Sequence, residues 1–476
     1  MAKWSFEKAS REKVAEPGLA DKLHNATATS LHKLEVLSAE MPHWQDLRRH
    51  ARQIKLHTLT HLDQYLRQFV EAAEAGGAAV SWADTGEEAC RLVVELAKRN
   101  NVTRVTKAKT MVGEEIEVNR ALLAAGIEPV ETDLGEMICQ LADMPPSHVT
   151  APIIQWSMQE VARLLKDRGI IEEIPARLRD PSATVPPAER AVLAEKLTAA
   201  ARRALREKFL TAGMGISGAN FAVAESGTIV LVSNEANIRL STTLPKLHVA
   251  LVGIEKLIPT LADLGTFLSL LPVSATGQRQ SGYVSLIHRP YQNLHIILLD
   301  NRRTALLADR EHFDLLSCIR CGACMNTCPV YRHVSGHAYN WIYPGPIGSV
   351  LTPHLRREEC FRELPFASSL CGACGEICPV EIPLPERLLQ WRDRVVRAGG
   401  RPMSEAAAFA AWAWLMRHPA VYRTVRPPAD WLSAAAGLVS PGRRWRATRD
   451  LPPLAFETFA DWWEKNRPDL KEEGHA

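Results

Sequence analysis

The sequence predicts an α/β fold built on a mainly parallel sheet, followed by a cysteine-rich segment of short helices and a helical C-terminal region. Three observations predict it. Between residues 76 and 303, short β-branched runs alternate with helical stretches of roughly ten to fifteen residues; such alternation makes βαβ units, whose crossovers leave neighbouring strands parallel. Eight of the ten cysteines fall between Cys318 and Cys378. From about residue 391 the composition shifts to arginine and tryptophan.

Residues 1–75 read as helical and end at Gly76-Gly77, a pair suited to a helix C-cap. "AAVSWA" then reads as a strand, with Asp84 and Thr85 as N-caps for the helix "EEACRLVVELAKRN". "TRVTKAK" is a second strand, "EEIEVNRALLAAG" a helix and "IEPVETD" a third strand. "FAVAESGTIVLVSNE" reads as two strands pivoting at Ser226-Gly227. "HVALVGI" (His248–Ile254) and "LHIILLD" (Leu294–Asp300) are apolar runs typical of strands buried on both faces. Across residues 304–390, cysteine, glycine and proline punctuate short helical pieces, the pattern of a fold held by metal clusters rather than a large core. "AAAFAAWAWLM" (Ala406–Met416) is too short for the roughly 18 residues that cross a bilayer, and reads as a buried or surface-lying helix.

Hydrophobic residues make up 46% of the 476-residue chain and charged ones 23%, an ordinary globular balance. A net charge of +3 makes no electrostatic case for nucleic acid. The polar opening "MAKWSFEKASREK" lacks the basic and apolar regions of a signal peptide, which points to the cytoplasm. There, ten cysteines in a chain this long are too sparse for a disulfide scaffold. Cys90 and Cys139 stand alone in helical patterns and read as small core residues.

The other cysteines carry the chemistry. Cys318, Cys321, Cys324 and Cys328 follow C-x2-C-x2-C-x3-C, with Pro329 directly after. In that spacing three thiolates grip one iron–sulfur cubane and the fourth reaches across to a second; zinc more naturally takes two separated pairs. A second copy keeps Cys371, Cys374 and Cys378, again followed by proline, but has Ser368 where the first cysteine would stand. Crossed ligation assigns Cys318, Cys321, Cys324 and Cys378 to cluster 1, and Cys328, Cys371 and Cys374 to cluster 2, which is one ligand short. Cys360 could supply a fourth thiolate or be a thiol unconnected with iron. Ser368 could ligate through oxygen, a harder donor than iron at a cubane corner prefers. Or the fourth iron is open or absent.

Other motifs have plainer readings beside functional ones. "GMGISG" (Gly213–Gly218) matches G-x-G-x-x-G, but a helix precedes it and a strand follows, the reverse of a dinucleotide-binding turn. It reads instead as a glycine turn leading to a sheet edge, where Asn220, Glu225 and Ser226 line a pocket or merely cap a turn. Lys107, Lys109, Glu114 and Glu115 form either a polar site at a strand end or a solvated salt-bridge network. His248, His288 and His295 read as core or surface histidines rather than ligands. "GHAYNWIYPGPIGSV" shields the clusters from water or simply packs. Between Arg387 and Arg449 stand 12 arginines, no lysine and three acids, and six of 12 tryptophans lie beyond Arg401. That tail suits docking to a partner, an anionic membrane surface, or no more than a solvated face.

The stretches "TMVGEEIEVNRALLAAGIEPVETDLGEMICQL", "PPSHVTAPII", "GISGANFAVAESGTIVLVSNEANIRL", "HVALVGIEKLIPTLADL", "SCIRCGACMNTCPVYR", "GHAYNWIYPGPIGSVLTP" and "LPFASSLCGACGEICPVEIPLP" cover most of Thr110 to Pro385, and on them the chain resembles the lactate utilisation protein B family. The resemblance implies a lactate-utilisation (LUD) domain, related in fold to sugar-phosphate isomerase and CoA-transferase-like proteins, at residues 76–303. It implies two 4Fe–4S clusters in residues 304–390, on the seven cysteines of the two motifs. It also implies the lactate utilisation A and C proteins as partners in oxidising L-lactate to pyruvate, with an unidentified electron acceptor downstream. The missing first cysteine of the second copy looks like a family trait. Three functions are compatible with this reading: an electron-relay subunit, a subunit that itself binds and oxidises a 2-hydroxy acid in the α/β pocket or at an open iron, or a mainly structural or regulatory assembly in which one cluster holds the fold and redox activity is incidental.

Overall fold

The computed structural model describes residues 4–180, 185–288, 293–356, 359–400, 403–422, 424, 457 and 459–466. Its strands are β1 (Ala79–Ala83), β2 (Arg104–Lys107), β3 (Glu128–Glu131), β4 (Met214–Ser217), β5 (Phe221–Val223), β6 (Thr228–Ser233), β7 (Leu247–Gly253), β8 (Leu257–Ile258), β9 (Tyr283–Ile287) and β10 (Asn293–Leu299). Six of them form one parallel sheet in the order β1-β10-β7-β4-β2-β3. Every residue of β7 is buried. Its register with β10 sets Leu294 beside His248 and Leu298 beside Val252, as a strand packed on both faces demands. The crossover helix Gly86–Arg99 starts where Thr85 accepts a hydrogen bond from the amide of Glu88.

The other four strands form a mixed sheet in the order β8-β5-β6-β9. Its antiparallel β5–β6 hairpin turns at Ser226-Gly227. Gly227 has φ +64°, and a Cβ there would lie 2.3 Å from the backbone nitrogen of Ala73, so only glycine fits. Ala73 belongs to the last of four N-terminal helices, Phe6–Val14, Leu19–Ala39, Trp44–Thr60 and Leu62–Ala75.

Two local expectations are corrected. "GMGISG" is no turn to a sheet edge: Met214–Ser217 is β4, fully buried between β7 and β2. A Cβ on Gly215 would meet the carbonyl oxygen of Ser241 at 1.7 Å, so this glycine lets helix Asn237–Thr243 pack closely on the sheet. The single helix read across "EEIEVNRALLAAG" is two, Met111–Glu115 and Val118–Ala124, separated by Glu117 at φ 55°. The break lets Glu115 turn inward to an ion pair while Val118 and Leu122 pack under the sheet.

The helices of the cysteine segment, such as Ala323–Thr327 and Ala373–Glu376, are too short to bury a face of their own. Their apolar residues join a core continuous with the rest: Ile54 of the third N-terminal helix, Phe221 of β5, Phe267 and Val350 cluster with Cys321, Cys374 and Cys378. Met1–Arg394 is one compact unit and Val395–Ala476 a second. In the second, helix Met403–Arg417 buries none of its residues and exposes Phe409, Trp412 and Trp414. Among the described residues no helix is long and apolar enough to cross a membrane.

Candidate metal centre and the cavity beside it

The two cysteine motifs fold as two copies of one turn. In the first, Arg320 (φ 59°) and Gly322 (φ 84°) flank Cys321; in the second, Leu370 (φ 56°) and Gly372 (φ 91°) flank Cys371. Each left-handed pair reverses the chain so that a short helix starts directly after the glycine. Proline follows each motif's last cysteine, at Pro329 and Pro379.

The turns enclose two small cavities. One is lined by Cys318, Cys321, Cys324 and Cys378, with Ile319 and Ile347 closing it. The other is lined by Cys328, Cys371 and Cys374, together with Ser368, Leu370 and Pro346. Ser368 thus stands at the same place in its turn as Cys318 does in the first; its Oγ accepts a hydrogen bond from the amide of Leu370 at 3.1 Å. Cys360 lies in a 3₁₀ helix, Glu359–Phe366, and its side chain is outside the described residues.

This donor set fits 4Fe–4S clusters. Soft sulfur donors converge on each cavity, and backbone amides are aimed at them. The amide of Ile382 donates to Cys378 Sγ at 3.4 Å. Amides of Val330 and Tyr331 serve Cys328, and that of Ala323 serves Cys321. Burial pushes the Cys378 thiol up to about 11, against amide hydrogen bonds that pull it down. Burial, then Cys328 and Cys371, push Cys374 up to about 12. Cys321, Cys328, Cys374 and Cys378 are only 6–7% exposed, whereas Cys371 faces solvent. A clamp from the N-terminal helices holds the last loop: buried Arg48 donates to the carbonyls of Cys378 (2.9 and 3.1 Å) and Glu376 (2.6 Å), and Arg52 to that of Glu381.

Beside the first cavity lies a larger one of about 280 Å³. It opens at the carboxyl ends of the parallel strands, where ligands gather in such sheets. Lys109 follows β2, Asp133 follows β3, Asn220 follows β4 and Lys256 follows β7. Ile319 and Arg320, the two residues between Cys318 and Cys321, form the facing wall. Behind that wall Arg303, 1% exposed, donates to both oxygens of Glu115 (2.8 and 2.9 Å) and to Glu255 (2.5 Å). Tyr343 donates to Glu115 at 2.7 Å, and the Arg320 guanidinium lies 4.6 Å from the centre of the Tyr343 ring. Burial alone would raise Glu255; Arg303, Lys256 and Arg320 outweigh it and hold the carboxyl down to about 2. Burial lowers Lys256 to about 8 and Lys55 to about 7. Among the described residues Arg303 shares the carboxylates of Glu115 and Glu255, and Arg320 and Lys256 that of Glu255, with both of the latter close to Cys318, so positive charge gathers beside Cys318.

The chain matches the LUD domain over residues 66–301, the 4Fe–4S dicluster domain over 314–382 and the C-terminal domain of lactate utilisation protein B over 392–467. It is 38% identical to lactate utilization protein B of Bacillus pumilus, over 97% of this chain and 98% of that one, and 40% identical to the Oceanobacillus iheyensis protein of the same name, over 92% and 91%. The chain belongs to the lactate utilisation protein B family. A further relative, the uncharacterized electron transport protein YkgF of Escherichia coli, is 38% identical over 98% of both chains.

The remaining residues singled out in the sequence have varied fates. Lys107 is fully buried and paired with Glu114 (2.6 Å) and Glu131 (2.9 Å), not solvated. Glu115 belongs to the Arg303 network, and Lys109 lines the larger cavity with its ammonium unpaired by protein. Asn220 lines that cavity too, where Glu225 and Ser226 do not. His248 bonds Ser217 and His295 bonds Ser81, both at 2.8 Å, and His288 is exposed. Cys90 donates to the carbonyl of Ile116, and Cys139 is buried. Sequence reasoning missed Arg48, Lys256, Arg303 and Arg320; Arg48 and Arg303 bond groups far away in the chain.

Proposed function

We propose that this protein is a cytoplasmic iron–sulfur electron-transfer subunit that works with the lactate utilisation A and C proteins in oxidising L-lactate to pyruvate. Cys318, Cys321, Cys324 and Cys378 hold one 4Fe–4S cluster. Cys328, Cys371 and Cys374 hold a second, with its fourth position filled by Ser368 or Cys360 or left open. Bound clusters supply one-electron transfer. The chain's own part is to keep water from the first cluster with Ile319 and Ile347, to aim amides at the sulfurs, to clamp the Cys378 loop with Arg48 and to leave Cys371 near solvent. The observation that carries the reading is the division of seven cysteines into four on one cavity and three on the next. We take residues 76–303 as the LUD domain, 304–390 as the dicluster domain, and 1–75 and 391–476 as flanking helical regions.

The test is iron and sulfide analysis with EPR on anaerobically purified protein, before and after dithionite. About eight irons per chain and two interacting cubane signals are expected. Cys321→Ser should remove one of them and, in the reconstituted three-protein system, lactate oxidation. Four irons or fewer in the wild type, or full lactate oxidation with Cys321→Ser, would overturn the reading. Ser368→Ala and Cys360→Ala, compared by the same spectra, identify the fourth ligand.

A further inference from the structure

Beside the cysteine motifs stands a second set of donors that contains no sulfur. Asp309 and His312 precede the first motif, and His354 lies near the end of helix Gly345–Leu355, between the motifs. One ligand atom from each lies within 4.8 Å of the other two. His312 Nδ1 is 3.5 Å from Asp309 Oδ2, and His354 Nδ1 is 4.0 Å from the same oxygen. Ligand atoms about 2.1 Å from one tetrahedral ion stand about 3.4 Å apart, so small rotations bring all three onto a common ion.

The hydrogen bonds prepare these atoms for a cation. His312 Nε2 faces the carbonyl of Arg387 at 3.4 Å, so that nitrogen carries the proton and Nδ1 presents a lone pair, as in metal-ligating histidines. This Nδ1 is buried without a hydrogen-bond partner among the described residues, and its lone pair confronts the anionic Oδ2, an opposition that a cation relieves. His354 Nε2 is likewise buried and unpartnered among the described residues. Burial holds His312 below the usual imidazole range and His354 down to about 3, so both rings are neutral, the ligating form. Arg394 bonds both oxygens of Asp309 and also Glu311. A carboxylate oxygen keeps a second lone pair, and two acids against one arginine leave these three groups net negative. Trp391 packs against both imidazoles, with ring centroids 5.6 and 4.7 Å away, and supplies an apolar cover.

We infer that Asp309, His312 and His354 bind one divalent transition-metal ion of the zinc type, with water completing its coordination. Two imidazoles and one carboxylate suit such an ion, where magnesium or calcium takes oxygen donors throughout. The ion ties the segment leading into the first motif to the helix whose Pro346 and Ile347 line the two cysteine cavities. It uses no cysteine, so the site is independent of the electron-transfer reading.

In the experiment, full-length, cluster-loaded protein is given zinc sulfate anaerobically, dialysed, and examined by metal analysis and X-ray absorption at the zinc edge, alongside His354→Gln and Asp309→Asn. About one zinc per chain is expected, in a nitrogen and oxygen shell at about 2.0 to 2.2 Å with imidazole scattering. Each variant should bind zinc at least about tenfold more weakly in competition with a fluorescent chelator, since even the loss of an outer partner costs that much. Asp309→Asn also disturbs Arg394; if it lowers iron content, His354→Gln carries the test. Failure of the wild type to retain zinc, a sulfur shell at about 2.3 Å that marks zinc on the cysteines, or affinity unchanged by His354→Gln would overturn the inference. Iron and sulfide content of the same samples report on the electron-transfer reading separately.

Discussion

Replacing Arg303 by methionine isolates the energetics of the ion network buried at the end of the α/β region. The side chain is 1% exposed and makes three charged hydrogen bonds, two to Glu115 and one to Glu255. Methionine keeps much of the length but leaves two buried carboxylates without their main partner. Breaking a buried pair from one side costs about 3 to 5 kcal/mol, a large part of a typical domain's stability. The assay is urea unfolding of the cluster-loaded protein under anaerobic conditions, followed by tryptophan fluorescence. The same loss should largely vanish when Glu115→Gln and Glu255→Gln are added, because neutral amides bear burial far better than orphaned charges. The network also has a pH signature. Glu255 is held at about 2 in the fold, below its unfolded value of about 4.3. Its stabilising contribution, about 3 kcal/mol, is therefore complete above the unfolded value and lost as pH falls from there toward 2. Arg303 is the largest of the cationic causes, so the variant should lose stability less steeply than wild type between pH 5 and pH 3. A destabilisation under about 1 kcal/mol at neutral pH, or no recovery with the two glutamines, would refute the argument.

Two further outcomes follow from particular contacts. Arg48→Leu removes the hydrogen bonds that fix the carbonyls of Cys378 and Glu376, each worth roughly 1.5 to 3 kcal/mol when the donor is charged; iron should then be lost to a chelator faster than from wild type, with the EPR signal of the cluster on Cys378 fading first, and equal loss of both signals would count against a local clamp. Gly215→Ala places a methyl 1.7 Å from the carbonyl oxygen of Ser241 and should prevent accumulation of folded protein, whereas Gly265→Ala, in helix Leu261–Thr276 with open space around it, should stabilise by about 0.5 to 1 kcal/mol; a folded Gly215→Ala protein would show that β4 is not packed as described.

What the sequence made legible was whatever depends on neighbours in the chain. The spacing Cys318-x2-Cys321-x2-Cys324 encodes a turn by itself, and the apolar runs of β7 and β10 read as buried parallel strands because each residue must face a helix. β4 was not legible: the three glycines in "GMGISG" lower strand propensity, and the reason for Gly215, the backbone at Ser241, lies in another element. The break at Glu117 was hidden because apolar spacing runs smoothly across it, while the pull on Glu115 comes from Arg303, nearly two hundred residues on. The same distance explains the site. Lys107 and Lys109 look equivalent two residues apart, yet one is neutralised by Glu114 and Glu131 and the other is left facing a cavity.

Arg320 shows what this separation means for function. Within the motif it reads as a spacer, and the second copy has Leu370 in its place. In the fold it packs on Tyr343 and joins Lys256 and Arg303 around Glu255, so positive charge is concentrated at one motif and absent from the matching position of the other. Net charge, hydrogen bonds and exposure set cluster potential, and the two copies differ in charge at residue 320 against 370 and in exposure at Cys321 against Cys371. A chain whose net charge is only +3 thus builds two unlike cysteine environments from one repeated turn.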